Sequence, residues 1–187
     1  MARRLACAAL SIAIVLAPLA SQAGYRSELN HQTKTGRIYH VHRWDAELIW
    51  NATFFDDAFR ETFKKQHEKI RHLDPVGTER FEAEQANRHM GGWDFFVSMY
   101  TKDEYKEFSN YEDSFWHIEL KTGSGEVVEP ILVEEIKITP YEERMFPYID
   151  RWSSGYRVTF PKVELGDKIE LTISSVAGIS TLKWKTR

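Results

Sequence analysis

Two histidines separated by one residue, His40 and His42, have the type and spacing that most favour a chemical role. On a strand, residues i and i+2 point to the same side, with side chains roughly 6–7 Å apart. Two imidazoles placed in this way can share a zinc or copper ion. A third ligand would come from elsewhere, for example His31, His117 or a carboxylate. The alternative is a pair of polar side chains on a solvent-facing strand, and the sequence leaves both interpretations open.

A second histidine pair, His67 and His72, lies in a predicted helix. The zinc-protease motif places its histidines four residues apart, which puts both on one helix face. Here the spacing is five residues, so at about 100° per residue the side chains diverge by roughly 140°. They cannot chelate one ion together. We therefore expect His67 to lie at the edge of the apolar helix face formed by Phe59 and Phe63.

The other reactive side chains match no enzyme class. Adjacent carboxylates at Glu134-Glu135 point to opposite faces of a strand, so they form the converging pair that a glycosidase needs only if a bulge redirects one of them, and we expect both on the solvated surface. The sequence has no G-x-S-x-G elbow, phosphate-binding glycine loop or dinucleotide fingerprint. Its one cysteine, Cys7, lies in the N-terminal apolar segment. We predict a protein that is not an enzyme and carries no cofactor.

The first 23 residues have the three-part layout of a secretory signal peptide. Arg3-Arg4 precedes a long apolar run, and small residues stand at the −3 and −1 positions of a cleavage site before Gly24. The run contains Pro18 and is shorter than the ~20 apolar residues that span a bilayer. We expect cleavage and export, to a periplasm or outside the cell.

Charge and cysteine content narrow the classes of partner and source. Removing residues 1–23 takes away two of the 25 basic residues and no acidic one, so 23 basic residues remain against 28 acidic ones. This acidic balance disfavours binding to nucleic acids, which needs a basic face, and adhesion to anionic membranes. The remaining chain has no cysteine, whereas small secreted domains commonly depend on disulfides. We expect one bacterial domain whose stability depends on its core.

Period-two alternation of apolar residues predicts a β-rich domain over residues 37–187, preceded by a loose polar arm over residues 24–36. Towards the end of the predicted strand EVVEPILVEEIKI, the apolar residues move from one face of the strand to the other. This change predicts a β-bulge at Glu134-Glu135. The number and spacing of strands favour an antiparallel β-sandwich of immunoglobulin-like character. The predicted strands are RIYHVHRW, AELIWNATF, WDFFVSMY, FWHIEL, EVVEPILVEEIKI, YRVTF, IELTIS and STLKWK.

Two helices are predicted after the second strand, as an insertion spanning residues 56–91. The first carries phenylalanines at helical spacing and ends before Asp74-Pro75. The second is predicted to begin with Thr78 as its N-cap and to end at Gly91-Gly92. Its apolar face is thin, so it is expected to be peripheral. The insertion is either a binding surface or a cover over one open end of the sandwich.

Residues 144–163 are rich in aromatic side chains and raise the choice between a ligand platform and a core. Proline cannot sit inside a central strand ladder, so Pro140 to Pro147 is predicted to be an irregular connection. Aromatic residues at this spacing are usually buried, which favours a hydrophobic plug that closes one end of the sandwich. The expected plug residues are Phe146, Tyr148, Ile149 and Trp152.

The order of these segments resembles uncharacterised small exported bacterial proteins, grouped as a domain of unknown function. The resemblance rests on an aromatic strand leading into a phenylalanine-bearing helix, then FPYIDRW, YRVTFP and a final IELTIS…LKW, and it covers residues 37–187. We predict an exported, non-enzymatic module that binds a protein or cell-envelope partner through the helical insertion or an edge strand. The alternative is a periplasmic copper- or zinc-binding protein that uses His40 and His42.

Overall fold

A computed structural model describes residues 24–39, 45–102, 108 and 114–186, which form four helices and nine strands. The helices are α1 (24–32), α2 (Asp57–Arg71), α3 (Pro75–Gly91) and α4 (Pro140–Met145). The strands are β1 (Thr33–Tyr39), β2 (Ala46–Phe54), β3 (Trp93–Thr101), β4 (His117–Lys121), β5 (Val127–Val128), β6 (Leu132–Ile136), β7 (Ser154–Phe160), β8 (Lys168–Ser175) and β9 (Gly178–Lys185).

The strands form two antiparallel sheets, which confirms the prediction of a mainly β protein. One sheet has the order β1-β2-β3-β7-β6, and the other has the order β5-β4-β8-β9. The segment predicted as one long strand, EVVEPILVEEIKI, is two strands that belong to different sheets. Pro130 lies between them, and because proline has no N–H, the strand ladder breaks there.

Alternate residues of both sheets meet in one hydrophobic core, as the period-two pattern predicted. On β2 the inward residues are Leu48, Trp50, Ala52 and Phe54, and they belong to the same cluster as residues of β3, β4, β7, β8 and β9. The buried indole of Trp50 donates to Ser180 Oγ at 3.0 Å, which satisfies its only polar atom. This cluster, called the first core below, therefore joins the two sheets.

The opposite face of the five-stranded sheet carries a second hydrophobic core, which the sequence analysis did not predict. Phe96 of β3 points to this side, and Phe59 and Phe63 of α2 pack over it. Phe96 lies 4.0 Å from Phe146, between ring centroids, with the planes 2° from parallel. The helical insertion is therefore a layer on the outer face of the sheet, and β3 is buried on both faces.

The β-bulge predicted at Glu134-Glu135 is wrong. Strand β6 pairs with β7 in unbroken register from Leu132 to Ile136. Val133 packs against the first core, whereas Ile136 packs against the second. The apolar residues change face along this segment because β6 carries an apolar residue on each face, not because a residue is inserted.

Residues 24–36 are not a loose arm, because they form α1 and the first half of β1. Tyr25 and Leu29 are 4% and 3% exposed and belong to the second core. The Tyr25 hydroxyl donates to the carbonyl of Met145 at 2.8 Å. Their spacing of four residues puts both side chains on one helix face, a short pattern that the polar composition concealed.

The connection predicted to be irregular at Pro140 to Pro147 contains the short helix α4. Thr139 caps it: the Tyr141 N–H donates to the Thr139 hydroxyl at 3.3 Å, and the Glu142 carboxylate accepts from the Thr139 N–H at 3.1 Å. Pro140 occupies the first helical turn, where its missing N–H costs nothing. The capping box with its proline explains why this segment is helical despite its composition.

The predicted plug does not close an end of the two-sheet core. Phe146, Tyr148 and Ile149 pack in the second core, on the outer sheet face. Trp152 is 63% exposed, and the guanidinium of Arg151 lies 4.6 Å from its ring centroid. Phe146 is therefore buried, and Tyr148 and Ile149 are partly buried, but in a different place from the one expected.

The two insertion helices begin at aspartates. Asp56 caps α2 by accepting from the Phe59 N–H at 2.8 Å. Asp74 caps α3 by accepting from the Gly77 N–H at 2.7 Å, so the prediction that Thr78 is the cap was wrong. Pro75 follows Asp74 in the first turn of α3, which lets the helix begin earlier than expected. Among the described residues, no helix has the length and apolar content needed to cross a membrane.

Candidate functional site

A cleft lies between the helical pair α2–α3 and the outer face of the five-stranded sheet. Its volume is about 530 Å³, within the ~300–1,000 Å³ typical of small-molecule sites. Side chains of α2, α3, α4, β6 and β7 line it, together with Phe96 of β3. The cleft therefore exists only because the insertion packs on the sheet as a separate layer.

A buried ion pair fixes the N-terminal end of α2 on the five-stranded sheet. Arg60 Nη2 donates to Asp94 Oδ2 at 2.8 Å, and the two side chains are 6% and 5% exposed. Arg60 Nε also donates to the carbonyl of Phe55 at 3.1 Å. The Thr159 hydroxyl donates to the other oxygen of Asp94 at 2.8 Å. This network joins α2 to β3 and β7, and so sets where the helix lies over the sheet.

His67 occupies the centre of the junction between three helices. Its ring lies on Phe81 of α3, with ring centroids 3.7 Å apart. Its Nδ1 shares a hydrogen bond with the hydroxyl of Tyr141 in α4. The centroid of the His67 ring lies 6.5 Å from that of Phe63, one turn earlier, which confirms that His67 lies at the edge of the phenylalanine face. All four side chains line the cleft.

Both partners of the His67–Tyr141 hydrogen bond are held in the neutral form. Burial lowers the pKa of His67 below its ordinary 6.5, and the nearby Arg71 cation lowers it further, while Glu84 opposes this. Burial raises the pKa of Tyr141 above its ordinary 10. A neutral imidazole has one donor and one acceptor nitrogen. The pair can therefore orient a ligand, but it presents no charge at neutral pH.

Three arginines line the same cleft from three elements. The guanidinium of Arg71 at the end of α2 lies 4.2 Å from the centroid of the Tyr141 ring. Arg80 of α3 is exposed and makes no ion pair or hydrogen bond with any described residue. Arg157 of β7 is 23% exposed in its side chain, and its Nη1 lies 3.7 Å from Glu134 Oε2, beyond hydrogen-bond distance.

The guanidinium of Arg157 has one neighbouring cation and three neighbouring carboxylates. Burial lowers the pKa of its guanidinium, and the cation of Arg88 lowers it further, while Asp94, Glu134 and Glu84 oppose this. An arginine nevertheless stays protonated at neutral pH. A partly buried cation of this kind gains from an anion placed beside it.

The two carboxylates that line the cleft are already engaged by the protein. Glu84 accepts from Arg88 Nε at 3.0 Å, in an i, i+4 pair on α3. Glu142 accepts from the backbone and the hydroxyl of Thr139 in the capping box. The cleft therefore offers positive charge to a ligand more readily than negative charge.

The metal site predicted at His40 and His42 lies outside the described residues, so it stays a prediction. His117 is exposed at the start of β4, and His31 is exposed at the end of α1. Within residues 24–39, 45–102, 108 and 114–186, no three His, Cys, Asp or Glu side chains are grouped so that they could hold a metal ion.

Sequence reasoning placed His67 correctly but missed Phe81 and Tyr141 as its neighbours and Arg157 as a residue of the same cleft. Tyr141 could have been found in part, because Thr139 and Glu142 match the capping-box pattern and mark a helix start beside it. The meeting of α2, α3, α4 and β7 depends on tertiary packing, and no local pattern encodes it.

Comparison with known proteins adds no family to this description. No protein-family model, curated protein or solved structure matches the chain. The function must therefore be argued from the chemistry of the cleft itself.

Proposed function

We propose that the chain is an exported, non-enzymatic binding protein that holds a cell-envelope component or a partner protein in the cleft between α2–α3 and the five-stranded sheet. The observation that carries this proposal is the cleft of about 530 Å³, in which the exposed Arg80, which pairs with no described residue, lies on the same cleft wall as the packed rings of Phe63 and Phe81. A concave site with few polar groups over an apolar floor is typical of ligand binding.

The chemistry of the cleft favours binding over catalysis. Among the described residues that line it there is no serine, threonine or cysteine to act as a nucleophile. Burial keeps His67 neutral, and its imidazole is hydrogen-bonded to the Tyr141 hydroxyl, which is a weak acid. The two carboxylates are held by Arg88 and Thr139. The groups present suit recognition of a ligand better than its chemical conversion.

We also propose that the two sheets form an immunoglobulin-like sandwich. The support is that two antiparallel sheets share one core, with Trp50 and Trp116 fully buried between them. In this fold the helical layer is an addition to the outer face of one sheet. The insertion, rather than an edge strand, then supplies the binding surface.

Export rests on the N-terminal sequence, which has a basic start, an apolar run and a small-residue cleavage site. N-terminal sequencing of the protein recovered from its native compartment tests this directly. We expect the recovered chain to begin at Gly24. Recovery of a chain that retains Arg3 and Arg4 would contradict cleavage.

Co-sedimentation with envelope fractions of the native host tests the proposed binding role. We expect the wild-type chain to sediment with the envelope and Arg80→Glu to remain in the supernatant, because the change reverses the charge that faces the ligand. The matched control is Lys168→Glu, an equal charge reversal at an exposed position on the other sheet. Equal sedimentation of the two variants would contradict the role of the cleft.

A further inference from the structure

The cleft has two chemically different parts, an apolar floor and a cationic rim. The floor contains Phe81 and Ile136, which are only half-buried, over the fully packed rings of Phe63 and Phe146. An apolar ligand body lying on the floor would cover surface that solvent now reaches, which favours binding.

The rim supplies the complementary group for an anion. Arg71, Arg80 and Arg157 come from α2, α3 and β7, and all three line the same cleft. A guanidinium matches a carboxylate well, since both are planar and can form two parallel hydrogen bonds. The nearest carboxylate to Arg157 is 3.7 Å away and half-exposed, so it can give way to a ligand.

The neutral His67–Tyr141 pair lies between the floor and the rim. The imidazole of His67 covers one side of Phe81. The Tyr141 ring, whose hydroxyl bonds to this imidazole, lies against the guanidinium of Arg71. A carboxylate bound by the rim arginines would lie near this pair and would favour the protonated imidazole. The pair therefore provides a built-in reporter of an anion in the cleft.

We propose that the cleft binds a small amphipathic organic acid, with a carboxylate held by the rim arginines and an aromatic ring or short alkyl chain on the phenylalanine floor. This inference rests on the proposed binding function and names the chemical class of the envelope component that the protein takes up. A purely apolar ligand would leave the arginines unused, and a bare inorganic anion would leave the floor uncovered.

Calorimetric titration of the purified exported chain with three probes tests the proposal. The probes are 4-phenylbutyrate, its neutral amide and inorganic phosphate. We expect 4-phenylbutyrate to bind, the amide to bind at least about tenfold more weakly, and phosphate to give no measurable heat, since a tenfold ratio is the least that a lost ion pair in a half-buried site should produce. Equal affinity for the acid and the amide, or for the acid and phosphate, would overturn the proposal.

Variants locate the binding and separate it from folding. Arg80→Ala is expected to weaken 4-phenylbutyrate binding about fivefold or more, and the control Arg37→Ala, at an exposed position on β1, is expected to leave it unchanged. If Arg80→Ala is unstable, Arg71→Ala serves in its place. Titration of the His67 ring by NMR is expected to show a higher pKa when 4-phenylbutyrate is present, a change that a purely structural arginine would not produce.

Failure of this inference differs from failure of the proposed function. No binding of any probe, together with envelope sedimentation that depends on Arg80, would overturn the amphipathic acid and retain the cleft as a partner site. Probe binding together with Arg80-independent sedimentation would retain the acid site and overturn its role in envelope binding.

Discussion

The imidazole of His67 lies flat against the ring of Phe81, with centroids 3.7 Å apart and planes 5° from parallel. This contact joins α2 to α3, and the hydrogen bond from the same imidazole to Tyr141 joins both helices to α4. One side chain thus connects three helices at the wall of the cleft. The protonation of His67 should therefore affect both the stability and the binding of the protein.

Stability should fall as the pH is lowered through the ordinary histidine pKa of 6.5. In the folded chain the pKa of His67 is lowered by burial and by Arg71, so the unfolded chain takes up the proton at a higher pH. Between the two pKa values the unfolded state binds more protons, and the free energy of unfolding decreases with decreasing pH. Urea unfolding at pH values from 7.5 to 5 measures this slope.

The variant His67→Gln should show a shallower slope than the wild type, because it lacks the group with the lowered pKa. His31→Gln, at an exposed position in α1, is the control and should keep the wild-type slope. His89 also contributes, since burial and Lys162 lower its pKa. A slope in His67→Gln equal to that of the wild type would show that His67 is not the group responsible.

The ion pair between Arg60 and Asp94 should be sensitive to the loss of one partner. Asp94→Ala leaves a guanidinium in a site where its Nη1 already lacks a hydrogen-bond partner among the described residues. We expect a loss of about 3–5 kcal/mol in the free energy of unfolding, the range for breaking a buried pair. Denaturant unfolding of the single variants and of Arg60→Met/Asp94→Ala gives the coupling energy.

The double variant should be less destabilised than the sum of the two single changes, since it removes both buried charges. The control is Glu61→Ala, which breaks the exposed i, i+3 pair with Lys64 and should cost less than about 0.5 kcal/mol. An Asp94→Ala cost as small as that of Glu61→Ala would exclude a structural role for the buried pair.

Two adjacent glycines at the end of α3 should respond in opposite directions to alanine. A methyl group on Gly91 meets no atom within 4 Å, so Gly91→Ala should stabilise the helix end by about 0.5–1 kcal/mol. A methyl group on Gly92 would overlap the backbone carbonyl oxygen of Phe160, so Gly92→Ala should destabilise the protein by about 1–3 kcal/mol. Thermal unfolding of both variants tests this, and destabilisation of equal size would refute the close approach of Gly92 to Phe160 at the end of β7.

The outcome for the aromatic segment can be tested by truncating two of its residues. Phe146 is 4% exposed in the second core, so Phe146→Ala should cost about 3–5 kcal/mol. Trp152 is 63% exposed, so Trp152→Ala should change the free energy of unfolding by less than about 0.5 kcal/mol. A large loss from Trp152→Ala would restore the plug that the sequence analysis expected.

The sequence predicted those strands that bury apolar residues on one face and carry polar residues on the other. The alternation in β2, from Leu48 to Phe54, was sufficient to place those residues in the core between the sheets. The alternation failed as a guide where a strand has two apolar faces, because it then does not indicate which residues point to the core between the sheets. Phe95 and Phe96 are adjacent, and they face different cores. A run of consecutive apolar residues indicates such a strand, and WDFFV is a run of this kind.

The cleft could not be predicted because its parts are distant in sequence and each part looks ordinary by itself. His67 was expected at a helix edge, and Arg157 alternates outward on a strand, which is the usual place for a charged residue. Tyr141 lies in a segment that two prolines marked as irregular. Only the packing of α2 over Phe96 brings these residues to one wall, and that packing depends on the second core.

Site-specific photo-crosslinking in the native envelope tests the central claim, that the cleft is the binding site. A diazirine-bearing leucine analogue at Leu73, which lines the cleft, should give a discrete adduct. The same analogue at Ile179, the second residue of β9 and 72% exposed, should give none. Adducts of equal yield at both positions, or an adduct at Ile179 alone, would contradict the account.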